Sequence, residues 1–209
     1  MDIKKLISET DEALKQYYEQ VYTLHDNVNQ KYGPYSYKFH LEMVKNIAME
    51  NAHEYIMGNY ANKDECLKLL LTSIEHDLIE DTRCNYNDVY SLNINILSSY
   101  LNENKNNYYV IKFSKEITEA VYALTDEKGR NRAERHNEKY WNEILENGLA
   151  LYIKLCDIYA NMLSSKYIIY NHKLYEMYNE EIHRIYNIIT DKSGNSTLLD
   201  FCYKKIFSI

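Results

Sequence analysis

A chain of 209 residues with 45% apolar content suits one domain with a sizeable core, and it has no uncharged apolar stretch of about 18 residues to cross a membrane. Its net charge of −7 argues against a nucleic-acid backbone as main partner, because neutralising phosphates needs a basic face. The start, MDIKKLISETDEAL, is a charged amphipathic helix rather than a signal peptide, and Cys66, Cys84, Cys156 and Cys202 form no CxxC pair, so a soluble cytoplasmic protein with reduced thiols is expected.

Apolar residues recur at three- and four-residue spacing almost throughout, which predicts an all-α bundle of about ten helices. In chain order they run over 2–20, 21–31, 36–58, 63–81, 86–103, 113–125, 131–147, 148–168, 171–190 and 195–207. Gly33-Pro34 forbids continuation of the second, Gly129 is read as ending the sixth, Gly148 separates the seventh and eighth, and Ser193-Gly194-Asn195 isolates the last. NENKNN, at 102–107, reads as a surface loop. No internal repeat is visible, and the abundance of Asn, Lys, Ile and Tyr reads as the imprint of an AT-rich genome. Residues 1–170 are expected to hold the functional domain, with 171–209 as helices packed on it or as the surface of a homodimer.

The stretch SIEHDLIEDT, at 73–82, puts a histidine and four acids beside leucines. His76 and Glu80 are four apart, as are Asp77 and Asp81, so in one continuous helix each pair shares a face. A single such histidine is more often a satisfied core residue. Four such groups buried together would repel without a cation, and a metal ion would hold them. One helix seldom completes a metal shell. His40 lies on the apolar face of its helix, and Asp157 interrupts a still more apolar one with Asn161 a turn later. A lone Asp157 would equally suit a lysine pair or a cap.

The order His, then His-Asp, then Asp resembles the HD-domain metal-dependent phosphohydrolases over roughly residues 20–170. HDLIEDT is similar to the HDxxEDT segment of the guanosine tetraphosphate and pentaphosphate hydrolases of RelA/SpoT type and their small stand-alone relatives; VYALTDEKGRNRAERH resembles the segment that follows, and KLCDIYANM their KLADRxxNM. The resemblance implies an HD-domain fold, with His40, His76, Asp77 and Asp157 as metal ligands. Two imidazoles and two carboxylates suit Mn²⁺, with Zn²⁺, Fe²⁺ or Co²⁺ as alternatives. It further implies that Glu80 and Asp81 orient or deprotonate a water, that Asn161 contacts the nucleotide or a water, and that Ser164 lies near the nucleoside.

A polyphosphate among carboxylates needs cations, for which Lys31, Lys128, Arg130, Arg132 and Arg135 are candidates. The recognition segment departs from the family's RKxGxPYxxHP: KYGPYSYKFHLE keeps Tyr37 three residues before the histidine but moves the proline and leaves one basic residue, and Ile158 replaces the arginine after the last aspartate. About a dozen extra residues lie between Glu80 and Thr125. The implied activity is removal of the 3′-pyrophosphate from guanosine 3′,5′-bis(diphosphate) or a close relative. Alternatives are a phosphatase of a deoxynucleoside monophosphate, NADPH or an adenosine alarmone, or a metal- or nucleotide-binding module without turnover.

Overall fold

The computed structural model describes residues 2–56, 62–192 and 196–209. Helix α1 (Ile3–Asn27) is continuous across the break expected at residue 20, because Leu14, Tyr18, Val21 and Tyr22 keep one buried stripe through that point. Two short strands follow, β1 (Lys31–Tyr32) and β2 (Tyr35–Ser36), an antiparallel hairpin that the sequence periodicity does not reveal. Gly33 makes its turn at φ +57°, a conformation that a side chain would strain. Helices α2 (Tyr37–Glu50), α3 (Ala52–Tyr55) and α4 (Lys63–Glu75) come next. The end of the expected 36–58 helix lies outside the described residues.

The expected 63–81 helix is broken. His76 and Asp77 stand between α4 and α5 (Leu78–Asp81), and Asp77 takes φ −101°, ψ 6°, the bridge region between helix and strand. Asp77 occupies the position before α5 without capping it through its side chain, so its carboxylate is left for other partners. The remaining described elements are α6 (Tyr86–Leu101), α7 (Tyr108–Leu124), α8 (Arg132–Arg135), α9 (Glu138–Glu146), α10 (Gly148–Tyr167), α11 (His172–Lys192), α12 (Ser196–Phe201) and a π-helical segment (Cys202–Ile206). The break expected at Ser193-Gly194-Asn195 lies outside the described residues.

Asparagine starts many of these helices. The side chains of Asn62, Asn85, Asn107, Asn131, Asn137 and Asn147 each accept a hydrogen bond from a backbone N–H of the first turn. Asn107 explains why α7 begins at 108 rather than 113. Gly129 does not end α7, which stops at Leu124; a Cβ there would lie 2.6 Å from Cβ of Glu134, so glycine lets the loop close onto α8.

Helix α10 is the axis of the bundle, buried at nearly every position from Leu149 to Ser165 and packed against α2, α4, α7, α9 and α11. Among the described residues no helix is long and apolar enough to cross a membrane. Ile182, Ile185, Ile189, Leu198, Phe201, Cys202 and Ile206 join the same core as the earlier helices. The four cysteines are unpaired, and burial pushes the Cys66 thiol up to about 11.

Glu75, at the end of α4, is fully buried and accepts a hydrogen bond from Asn93 of α6 at 2.8 Å. Burial raises its carboxyl to about 8, the Asn93 bond opposing the shift. The unfolded chain then loses this proton near the ordinary carboxylate value while the folded chain keeps it, so folded stability falls as pH rises from about 4.5 to 8. Glu75→Gln should remove that slope, and at pH 8.5 it should be more stable than the parent by about 1–3 kcal/mol, with little difference at pH 4.5. Urea unfolding at the two pH values measures it; equal differences at both would show that Glu75 ionises freely in the folded state.

Candidate metal centre and its cleft

Four side chains from three parts of the chain converge beneath the hairpin. His40 projects from α2, His76 and Asp77 from the break after α4, and Asp157 from the middle of α10. His40 Nε2 lies 3.5 Å from Asp77 Oδ2 and 3.2 Å from Asp157 Oδ1; His76 Nε2 lies 2.9 Å and 3.9 Å from the same two oxygens. His40, His76 and Asp77 offer ligand atoms close enough to share one ion. His76 Nδ1 pairs with the carbonyl of Ser73 at 2.9 Å, which requires hydrogen on that nitrogen, while its buried Nε2 faces Asp77. A ring held from behind with its other nitrogen turned into a carboxylate pair is the arrangement a metal-binding histidine needs, so the donor set fits a divalent ion.

The electrostatics agree. Burial would lower the imidazole of His40, but bonds to Asp157 and Asp77 outweigh it and push the ring up to about 9; His76 is raised, chiefly by Asp77, against the same burial. Burial alone would raise the two carboxyls. For Asp77 the charge of His76, and for Asp157 that of Lys154 followed by His40, hold them below the usual carboxylate range. Two negative groups thus stay ionised in the interior, and a cation entering between them displaces protons from the histidines.

A second ring of contacts fixes this set. The Tyr37 hydroxyl donates to Asp77 Oδ2 at 2.5 Å, and the Tyr37 ring stacks on buried His25 of α1, centroids 4.7 Å apart. Tyr32 stacks on His40 at 4.6 Å and donates to Asn161 Oδ1, whose amide nitrogen donates to Asp157 Oδ1 at 2.6 Å. Lys154, one turn before Asp157, lies 3.4 Å from its other oxygen.

His40, Asp77, Asp157 and the side chains of Tyr32, Tyr37, Lys154 and Asn161 around them line a cleft of about 230 Å³. Glu80 stands at its open edge, where burial first and then the charges of Asp77 and Asp126 push its carboxyl up to about 7; Asp81 beside it is also raised, by burial and by Asp77. The facing wall comes from Asp126, Arg132, His136 and Tyr178. There His136 Nε2 lies 2.7 Å from Asp126 Oδ1 and its Nδ1 2.7 Å from Glu181 Oε1. Arg135 pairs with Asp126 and Arg132 with Glu181, both at 2.6 Å, which closes a chain of charges linking the 125–136 segment to α11.

His40, His76, Asp77 and Asp157 are therefore brought together, with Glu80, Asp81, Tyr37, Asn161 and Arg132 around them. Tyr37, which the recognition segment keeps three residues before His40, holds the candidate ligand Asp77. Ser164 is wholly buried near Tyr32 and does not line the cleft. Lys31, Lys128 and Arg130 are exposed and absent from its walls, and Arg130 faces Glu134. Compared with family models, with curated proteins and with solved structures, the chain matches none.

Sequence reasoning missed Tyr32, Asp126, Lys154, Tyr178 and Glu181, and left His136 in ERH without a role. Lys154 alone carried a local signal, a lysine one turn before a buried aspartate.

Tyr37→Phe should leave the bundle folded but weaken divalent-metal binding by about 10–100-fold, because Asp77 loses the donor that orients it. Titration calorimetry with Mn²⁺ reads this directly. Unchanged affinity would mean that Asp77 is oriented without Tyr37.

Proposed function

We propose that the cleft is the active site of a divalent-metal-dependent phosphohydrolase acting on a phosphorylated nucleotide. The observation that carries this reading is the meeting of two imidazole nitrogens and two ionised carboxylates, none more than 3.9 Å from its paired partner, beside a carboxyl tuned to about 7. A divalent ion held by His40, His76, Asp77 and Asp157, with Mn²⁺ the best match to the mixed N/O set, would supply an electrophile for a phosphoryl oxygen and a water of lowered pKa.

The chain's own residues do the rest. Glu80, ionised above about pH 7, accepts the proton of the attacking water; burial first, then the charges of Asp77 and Asp126, make it a competent base, with Asp81 beside it adding to the same field. Lys154 and Asn161 hold Asp157, and Tyr37 holds Asp77, so the ligands do not turn when substrate enters. A module that only binds a nucleotide has no need of a rim carboxyl with so high a value.

The substrate suggested by the HDLIEDT and KLCDIYANM segments is guanosine 3′,5′-bis(diphosphate), hydrolysed at its 3′-pyrophosphate. A second reading, a nucleotide with fewer charges such as a deoxynucleoside monophosphate, draws support from the cations: Lys31, Lys128 and Arg130 lie outside the cleft, and Lys154 and Arg132 already face carboxylates.

Pyrophosphate release from guanosine 3′,5′-bis(diphosphate) with Mn²⁺ is expected to vanish in Asp77→Ala together with bound metal, while helical content is retained. Metal content unchanged by Asp77→Ala would overturn the ligand assignment; release of orthophosphate from deoxynucleoside monophosphates alone would favour the second reading.

The rate should climb as pH rises through about 7, because the base must shed its proton to act. Glu80→Gln should lower kcat by about 10²–10⁴-fold, keep metal stoichiometry, and lose that rising limb. A Glu80→Gln profile that still climbs would assign the limb to another group.

A further inference from the structure

The metal cleft has a neighbour. A pocket of about 180 Å³ lies against it, and the two share Arg132 and His136 as a common wall. Its remaining lining comes from Ala133 of α8 and from Met177, Glu180, Glu181 and Arg184 of α11. At about 230 Å³ and 180 Å³ each compartment is below the roughly 300–1,000 Å³ of ordinary small-molecule sites, and only the pair reaches that range. A ligand as large as a nucleotide that puts its phosphate among the metal ligands must therefore extend beyond the cleft, and the neighbouring pocket gives it a place.

The chemistry of that pocket suits a heterocycle better than a second phosphate. Met177 and Ala133 offer apolar, polarisable walls, and an arginine plane stacks on an aromatic base. Glu180 and Arg184 are both exposed and, among the described residues, form no ion pair with each other or with a third group, which leaves one acceptor and one donor set free for the edge of a base. By contrast, Arg132 is bound to Glu181 at 2.6 Å, and a phosphate would meet the unanswered charge of Glu180. We propose that this pocket is the nucleobase subsite, with Arg132 as the divider between base and phosphate and with Glu180 and Arg184 reading the base edge. The proposal rests on the nucleotide reading of the cleft but not on hydrolysis.

The protein has one tryptophan, and it touches the wall that the two compartments share. Trp141 packs edge-on against His136, ring centroids 5.5 Å apart. Adenosine and guanosine, which carry no phosphate, should change its emission in a saturable way without added metal, whereas ribose at the same concentrations should not. Ala133→Phe, which fills the pocket from an exposed position, should weaken nucleoside binding at least tenfold, and Arg184→Ala should weaken it several-fold while leaving the unfolding midpoint unchanged. Nucleosides that bind no better than ribose, or an affinity indifferent to both substitutions, would overturn the assignment. Nucleoside binding that behaves as expected in a protein that releases no phosphate from any nucleotide would instead leave the base subsite standing and remove the hydrolytic reading.

Discussion

Two ionised carboxylates face two imidazoles in the interior of this bundle, and much of the surrounding structure answers the cost of that meeting. An isolated buried carboxylate would take up a proton; Asp77 and Asp157 stay charged because His76, His40 and Lys154 lie against them. The neighbours that make this tolerable come from far apart in the chain. Helix α1 contributes His25 under Tyr37, the hairpin contributes Tyr32 over His40, and α10 contributes Lys154 and Asn161 on the turns flanking Asp157. Tyr32 also donates to Asn161, which donates to Asp157, so the hairpin, small as it is, belongs to the site.

The break after Glu75 lets these groups meet. Had α4 run on through Asp81, His76 and Asp77 would have pointed to different faces of one cylinder. With Asp77 in the bridge region, both side chains reach the same spot and Glu80 swings toward Asp126, whose N–H it accepts at 3.4 Å. Such a local departure from helical geometry is affordable where packing on both sides fixes it, and α4 behind the break is buried along most of its length.

The bundle was legible because apolar spacing gives the helices; His40 and Asp157 stood out as polar residues on apolar helices and His76-Asp77 as charge beside leucines, while their joining into one set came from the resemblance to the HD-domain pattern. The rest was hidden for physical reasons. Asp126, His136 and Glu181 sit in stretches whose composition is that of a solvated face, and only the fold brings α11 across to close on the 125–136 segment. Lys128 and Arg130 were candidate substrate contacts because a polyphosphate needs cations and both follow the LTDEK segment, yet a run of alternating charges does not tell which side turns inward. The 63–81 stretch misled in the opposite sense, since its pattern is helical to the end and carries no sign of the break at Asp77. Gly129 was read as a terminator when it is a point of close approach.

The asparagine-rich composition, which looked like an imprint of the genome alone, also has a structural use, for so many helices begin on an asparagine side chain. Asparagine, aspartate and serine are nearly equivalent in that position. These starting points can therefore be exchanged codon by codon without disturbing the helices behind them. In evolutionary terms the helix beginnings are free to drift while the interior of α10 and the segment from Ser73 to Asp81 are not, so divergence among descendants of this chain should accumulate at the ends of its helices and leave the charged centre untouched.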